Sequence, residues 1–185
     1  MNRYLAMMMI AVLTLVLGAP AVGRAAEEKK TEKTLASETD DAIAQFKKTD
    51  SKIDKLFSEA TGYAVFPTVG KGAVGIGAAQ GDGQVYEKGK LIGTASLTQI
   101  TIGLQLGGQA YSEVIFFETK TALDDFKAGK FAISAQVSAV AAAEGASENA
   151  NYQQGVMVFT IAKGGLMFEA SVGGQQFKFI PLSKR

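Results

Sequence analysis

Hydrophobic positions recur along this chain with two periods. Ala42, Ile43 and Phe46 are spaced for one face of a helix starting near Thr39. Ile53, Leu56, Phe57 and Ala60 supply the apolar stripe of a second helix. Ser51 is placed as its cap, Asp54 reaches back as a short capping box, and Gly62 is placed to end it in a left-handed turn. Beyond Tyr63 the period becomes two. Between Gln99 and Gly107, Ile100, Ile102, Leu104 and Leu106 face one way, with Thr101, Gly103 and Gln105 opposite. Phe131, Ile133, Ala135, Val137, Ala139 and Ala141 repeat the alternation along one long strand. Leu166, Phe168, Ala170 and Val172 do so again, followed by Phe177 and Phe179. Turn signals stand between these runs at Gly81-Asp82-Gly83, Lys88-Gly89-Lys90, Gly107-Gly108, Lys163-Gly164-Gly165 and Gly173-Gly174. One helix interrupts the series: Thr121 with Asp124 starts it, Leu123 and Phe126 bury, and Gly129 ends it.

Tight glycine turns between regularly spaced strands require antiparallel pairing, because parallel strands need long crossovers. Glycines inside strands, Gly75, Gly77 and Gly103, recur where a sheet bends. The expected fold is α+β: a strongly curved antiparallel sheet approaching a barrel, with N-terminal helices and one inserted helix.

The N-terminus reads as a targeting segment. Met1-Asn2-Arg3 is basic, Tyr4 to Leu17 is apolar except for Tyr4 and Thr14, and Gly18, Pro20 and small residues follow. Residues 1–25 are therefore expected to be a signal peptide, 26–38 a flexible charged stretch, and 39–185 the domain. The protein is expected to be exported, periplasmic or secreted, and peripherally associated with a membrane.

Composition narrows the chemistry. The 185 residues include no His, no Cys and no Trp, which excludes Ser-His-Asp and Cys-His nucleophiles, Cys/His zinc sites and disulfides. With 19 basic against 18 acidic residues, the chain lacks the strongly basic balance of a nucleic-acid binder. Beyond residue 25 the only arginine is Arg185, so cationic contacts fall to lysine. No enzyme activity, catalytic residue, metal or cofactor is expected. Gly70-Lys71-Gly72-Ala73-Val74-Gly75 spells GxGxxG, but a strand rather than the required helix follows. Asp40-Asp41 and Asp124-Asp125 are placed in first turns of helices, where they complement the dipole. The paired-apolar run Val114-Ile115-Phe116-Phe117 and Phe66-Pro67 read as core. Lys48, Lys52 and Lys55 fall at i, i+4 and i+7, with Lys47 beside them and Lys71 shortly after. Beside Ile53, Leu56 and Phe57, this basic stripe fits an interfacial helix against anionic lipid.

The stretch from Glu59 through Ala-Thr-Gly-Tyr-Ala-Val-Phe to Pro67, then Val69 to Gly77, resembles the opening signature of the SYLF domain. Leu97 to Gly108, with Gly103, Gln105 and Gly107, is similar to that family's glycine–glutamine–glycine strand. Glu113 to Phe131 is similar to its strand and short helix. The likeness runs from about residue 35 to 181. The resemblance implies a non-enzymatic module that binds membrane phospholipid, of phosphoinositide type in eukaryotic members, with the basic front contributing. Lys48, Lys52, Lys55 and Lys71 are the lipid-binding residues carried over. The expected partner is an anionic phospholipid membrane. An envelope protein partner is the alternative, as is an acyl-chain carrier whose interior is left roomy by Ala and Gly. Nucleic acid and actin are not expected. The family's tryptophan–serine strand is here Lys90 to Ser96 without Trp, and its Gly-Pro-x-Gly segment is replaced by Ala141-Ala-Ala-Glu-Gly-Ala-Ser147.

Overall fold

The structure, a computed structural model, describes residues 21–72, 77–101, 109–130, 132–133, 137–163 and 174–182. The elements are α1 (Ala21–Thr49), α2 (Ile53–Glu59), β1 (Gly62–Gly72), β2 (Gly77–Glu87), β3 (Lys90–Thr101), β4 (Gln109–Phe117), α3 (Lys120–Lys127), β5 (Ala132–Ile133), β6 (Ala139–Ala141), α4 (Ala146–Asn149), β7 (Val156–Lys163) and β8 (Gln175–Pro181). The chain divides into two compact units after Thr34, and the following concerns the second. None of the described helices is long and apolar enough to cross a membrane.

The α+β expectation holds. The strands form one sheet in the order β5-β8-β3-β2-β1-β4-β7-β6, antiparallel except for the parallel pair β6–β7. Its outermost strands, β5 and β6, are not paired with each other, so among the described residues hydrogen bonds do not close the sheet into a barrel. The chain nevertheless forces it to curl. Six residue steps join Ile133 on β5 to Ala139 on β6, a reach of about 22 Å at most. In a flat sheet those strands, seven spacings apart, would lie about 34 Å from each other. Within the stretch 131–141, expected as one long strand, the described residues 132–133 and 139–141 are thus two short edge strands at opposite margins. Its alternation fits both pairings, and period alone does not name a partner.

Curling gives the sheet two buried faces. The concave face carries Phe66, Val85, Leu97, Ile115, Phe117 and Phe177, closed by Leu123 and Phe126 of α3. The rings of Phe66 on β1 and Phe177 on β8 stand 5.7 Å apart across the interior. On the convex face Ala42 and Phe46 of α1 and Ile53 and Phe57 of α2 pack on Tyr63, Val65, Val114, Phe116 and Phe159. Val114 to Phe117 are accordingly all fully buried, alternate residues serving alternate faces.

Local signals hold unevenly. Lys88 and Gly89 both have positive φ, at 50° and 73°, in the two-residue loop between Glu87 and Lys90, which is the hairpin expected there. Gly129, with φ of 67°, ends α3, as the sequence predicts. The cap of α3 is Thr119 rather than Thr121: its side chain accepts from the Ala122 N–H at 3.2 Å. Asp124 and Asp125 therefore lie past the first turn, and Asp124 pairs with Lys120 and Lys127 at 2.7 and 2.8 Å. Gly81-Asp82-Gly83 is no turn but the middle of β2. β1 slips register between Phe66 and Val69, and a Cβ on Gly83 would stand 2.5 Å from the Val65 carbonyl oxygen. Close approach, not reversal, requires that glycine. Gly62 likewise opens β1 instead of ending a helix in a left-handed turn; a Cβ there would meet the Tyr86 carbonyl oxygen at 2.5 Å. Residues 26–38 lie within α1 as described, Ala21–Thr49, a helix that their Ala, Glu and Lys content favours. Asp40 and Asp41 consequently sit deep in α1. The expected strand Leu166 to Val172, the turns at 107–108 and 164–165, and Gly75, Gly103, Gln105 and Gly107 lie outside the described residues, as do residues 1–20 of the expected signal peptide.

The helical front is fastened by a buried acid that sequence reading passes over. Ser51 does not cap α2; Lys52 holds the cap position, and no side chain bonds there. Asp50, fully buried, accepts from Lys52 N–H at 3.0 Å, Gly145 N–H at 3.2 Å and Ser147 N–H at 2.7 Å. Ser51 Oγ donates to Glu144 Oε1 at 2.7 Å, tying the same turn to the same loop. Burial pushes the Asp50 carboxyl up, but the bonds from Ser147, Lys52 and Gly145 outweigh it and hold the group below its ordinary 3.8. A depressed folded-state value stabilises above the ordinary carboxylate range and is lost as pH falls through the folded value. Asp50→Ala is expected to cost about 1–3 kcal/mol. Urea unfolding followed from pH 7 to 2 should show the wild type losing its margin over Asp50→Ala in the acid range.

Candidate functional site

Three features bear on function. The first is the lysine set. α1 stops at Thr49 and α2 starts at Ile53, so Lys48, Lys52 and Lys55 lie on the end of one helix, the turn and the next helix rather than along one helical stripe. Lys52 Nζ reaches Glu148 Oε1 at 3.3 Å and Lys55 Nζ reaches Glu59 Oε2 at 4.0 Å, all four side chains more than half exposed. Lys47 Nζ pairs with Asp54 Oδ1 at 2.6 Å and lies 5.3 Å from the centre of the Phe57 ring. Lys48 is exposed, with no ion pair among the described residues. Lys71 lies near the far end of β1, its backbone opposite Ala79 and Gln109. Nine residues of strand, about 30 Å, separate it from the α2 end. The structure therefore gathers three of the four lysines and not the fourth.

The second is a polar layer inside the curled sheet. Tyr111 and Glu113 of β4, Gln99 of β3 and Gln175 of β8 are each at most 1% exposed. Gln175 Nε2 donates to Glu113 Oε2 at 2.8 Å and to the Tyr111 hydroxyl at 3.3 Å. β8 and β4 are four strand spacings apart, so these bonds cross the interior. Burial, then the neighbouring Glu113 charge, pushes the Tyr111 phenol well up, against the lowering bond from Gln175. Sealed from solvent, the layer acts as a brace. A signal for it lay in the sequence. Glu113 shares the phase of Tyr111, Ile115 and Phe117, Gln99 that of Ala95 and Leu97, and Gln175 that of Phe177: a polar side chain in a core phase. Among the described residues the rings of Phe66, Phe117, Phe126 and Phe177 enter the interior together with Ala64, Ala79 and Ala95.

The third is an open cleft of about 480 Å³ on the convex side, lined by Glu38, Thr68, Gln80, Asp82, Ser96 and Thr98 among others. It lies where β1 slips register. Among the described residues no group of three or more acidic side chains is placed to hold a metal ion. Gly70 to Gly72 run as strand and β2 resumes as strand at Gly77, so the described part of the GxGxxG match opens no helix.

Residues 98–179 match the family described as Ysc84, Las17-binding protein actin regulator. Over 124 residues the chain is 31% identical to Beta cell expansion factor A of Aeromonas veronii, an alignment that covers 66% of this chain and 47% of that protein. The chain thus spans about half the length of this curated relative.

The burial of the rings has a direct optical consequence. Burial raises the Tyr63 and Tyr152 phenols and takes Tyr86 to about 12, with Tyr63 and Asp40 adding to the last. With Tyr111, four of the five tyrosines are held above 10. Phenolate absorbance at pH 10.5 should therefore be lower for the folded protein than for the same protein unfolded in urea. Because raised acids contribute stability that is complete below the unfolded value and lost above it, the unfolding midpoint should fall steadily above about pH 10.

Proposed function

We propose that this chain, whose residues 98–179 match the Ysc84 (SYLF) family, is a non-enzymatic module of the cell envelope that associates with anionic phospholipid. The observation that carries the reading is the state of the front lysines. Lys48 is exposed and unpaired among the described residues, and Lys52 and Lys55 are held only by exposed partners at 3.3 and 4.0 Å. Such pairs are worth about 0–1 kcal/mol. A lysine near an anionic leaflet gains about 1 kcal/mol, so lipid phosphate can displace Glu148 and Glu59 at little cost. Export, through a segment shaped like a signal peptide, would place the protein at an envelope membrane. An exported chain would not meet actin, and the actin and Las17 of the family's description stay with that description.

Co-sedimentation of the purified protein with vesicles tests this. Bound fraction should rise with phosphatidylglycerol content and fall in about 1 M salt, where screening acts within about 3 Å. The variant Lys48→Glu/Lys52→Glu/Lys55→Glu/Lys71→Glu should bind less while keeping its circular dichroism. Equal sedimentation with neutral and anionic vesicles would remove the electrostatic reading.

A further inference from the structure

Large hydrophobic side chains exposed among the described residues number three: Leu91, Ile180 and Leu182, at 36%, 53% and 49%. All three fall in one corner of the sheet. Leu91 follows the two-residue hairpin at the start of β3. β8 runs antiparallel beside it, with Thr94 opposite Ile180 and Gly93 opposite Pro181, and the Leu182 N–H donates to the Ile92 carbonyl at 3.0 Å.

They also share a face. Between β2 and β3 the register slips after Val85, so that Leu91 stands opposite Tyr86 while Gly93 stands opposite Val85. Tyr86 stacks on Tyr63, 4.8 Å centre to centre, on the convex side, whereas Val85 belongs to the concave core. Leu91 is therefore on the convex side. On β8 Gln175 and Phe177 point inward and are buried, so Lys178 is offset from them, and Ile180 and Leu182 follow it in that outward phase. The helices that cover the convex face pack on Tyr63, Val65, Val114, Phe116 and Phe159, which belong to β1, β4 and β7, not on this corner.

The corner is cationic. Lys88 lies in the hairpin loop, Lys90 follows it, and Lys178 precedes Ile180 by two residues; all three are exposed and none has an ion pair among the described residues. Glu87, the adjacent acid, is engaged by Lys120 and Lys127 at 3.6 and 3.7 Å. Aliphatic side chains with unpaired lysines on the same hairpin and strand differ from protein interfaces, which are depleted in lysine and enriched in aromatic residues, methionine and arginine. They match the apolar-plus-basic make-up of surfaces that lie in a bilayer interface.

We propose that this corner is the part of the protein that enters the bilayer: Leu91, Ile180 and Leu182 reach the acyl boundary of an anionic leaflet while Lys88, Lys90 and Lys178 meet its phosphates. The proposal rests on the lipid reading above and adds the place and depth of contact. It gives the association an apolar component that salt does not screen, which the lysines of the helical front lack.

The chain has no tryptophan, so Ile180→Trp is a clean reporter. Its emission should shift to the blue and be quenched by brominated acyl chains on phosphatidylglycerol vesicles, while Asn151→Trp, exposed ahead of β7, should remain in water. The triple variant Leu91→Ser/Ile180→Ser/Leu182→Ser, altered only at exposed sites, should keep the wild-type thermal midpoint and lose at least tenfold in vesicle affinity. Most of that loss should persist in high salt. If wild type and triple variant bind alike and the Ile180→Trp emission stays that of a solvated indole, the corner is not the contact although the lipid reading stands. If the wild type binds no vesicle at all, both fall. A blue shift that grows with protein concentration and needs no vesicles would overturn the proposal in favour of self-association.

Discussion

The short tether between the two edges of the sheet governs this fold. A reach of about 22 Å across edges that would stand about 34 Å apart if flat leaves the sheet no choice but to roll up. Rolling brings β8 over β4, and only then can Gln175 find Glu113 and Tyr111. It also creates an inner volume narrow enough for Phe66, Phe117, Phe126 and Phe177 to fill. Apolar burial supplies the bulk of the driving force, being non-directional and proportional to area. The polar layer adds direction: an unmet Glu113 or Gln175 in that interior costs more than a mispacked methyl, so it selects one alignment of the opposite walls.

What was legible in the sequence followed from local physics. Lys88-Gly89 could only be a two-residue hairpin, because both residues must take positive φ. Leu123 and Phe126 had to face a core, and Gly129 had to end their helix. What escaped involved partners distant in the chain. Gly83 reads as turn chemistry until Val65 is seen pressing against it. Thr121 and Thr119 are equivalent as caps until the fold decides where strand gives way to helix. Residues 131–141 alternate in sequence as one strand would, yet 132–133 and 139–141 are claimed by different edges. Asp50 resembles any polar residue after a helix, and its importance appears only with Gly145 and Ser147, ninety-five and more positions away.

The same contrast separates the two surfaces discussed above. The lysines at 48, 52 and 55 were visible as a spacing, and the break between α1 and α2 divided them among three local environments. Leu91, Ile180 and Leu182 carry no pattern in sequence, since Leu91 is nearly ninety residues from its neighbours. Antiparallel pairing of β3 with β8 assembles them. One surface is electrostatic and adjustable, the other apolar and fixed to the sheet.

The position of β8 has a consequence for how the molecule comes into being. It is the last strand described, yet it sits inside the sheet, between β3 and β5. The meander β1–β2–β3 can form by neighbour pairing as soon as it is made. A nascent chain still lacking residue 181 leaves the β3 margin bare and Glu113 without its amide donor. Native assembly must therefore wait for residues 175–181, joining segments some eighty residues apart, the sort of non-local closure that slows folding.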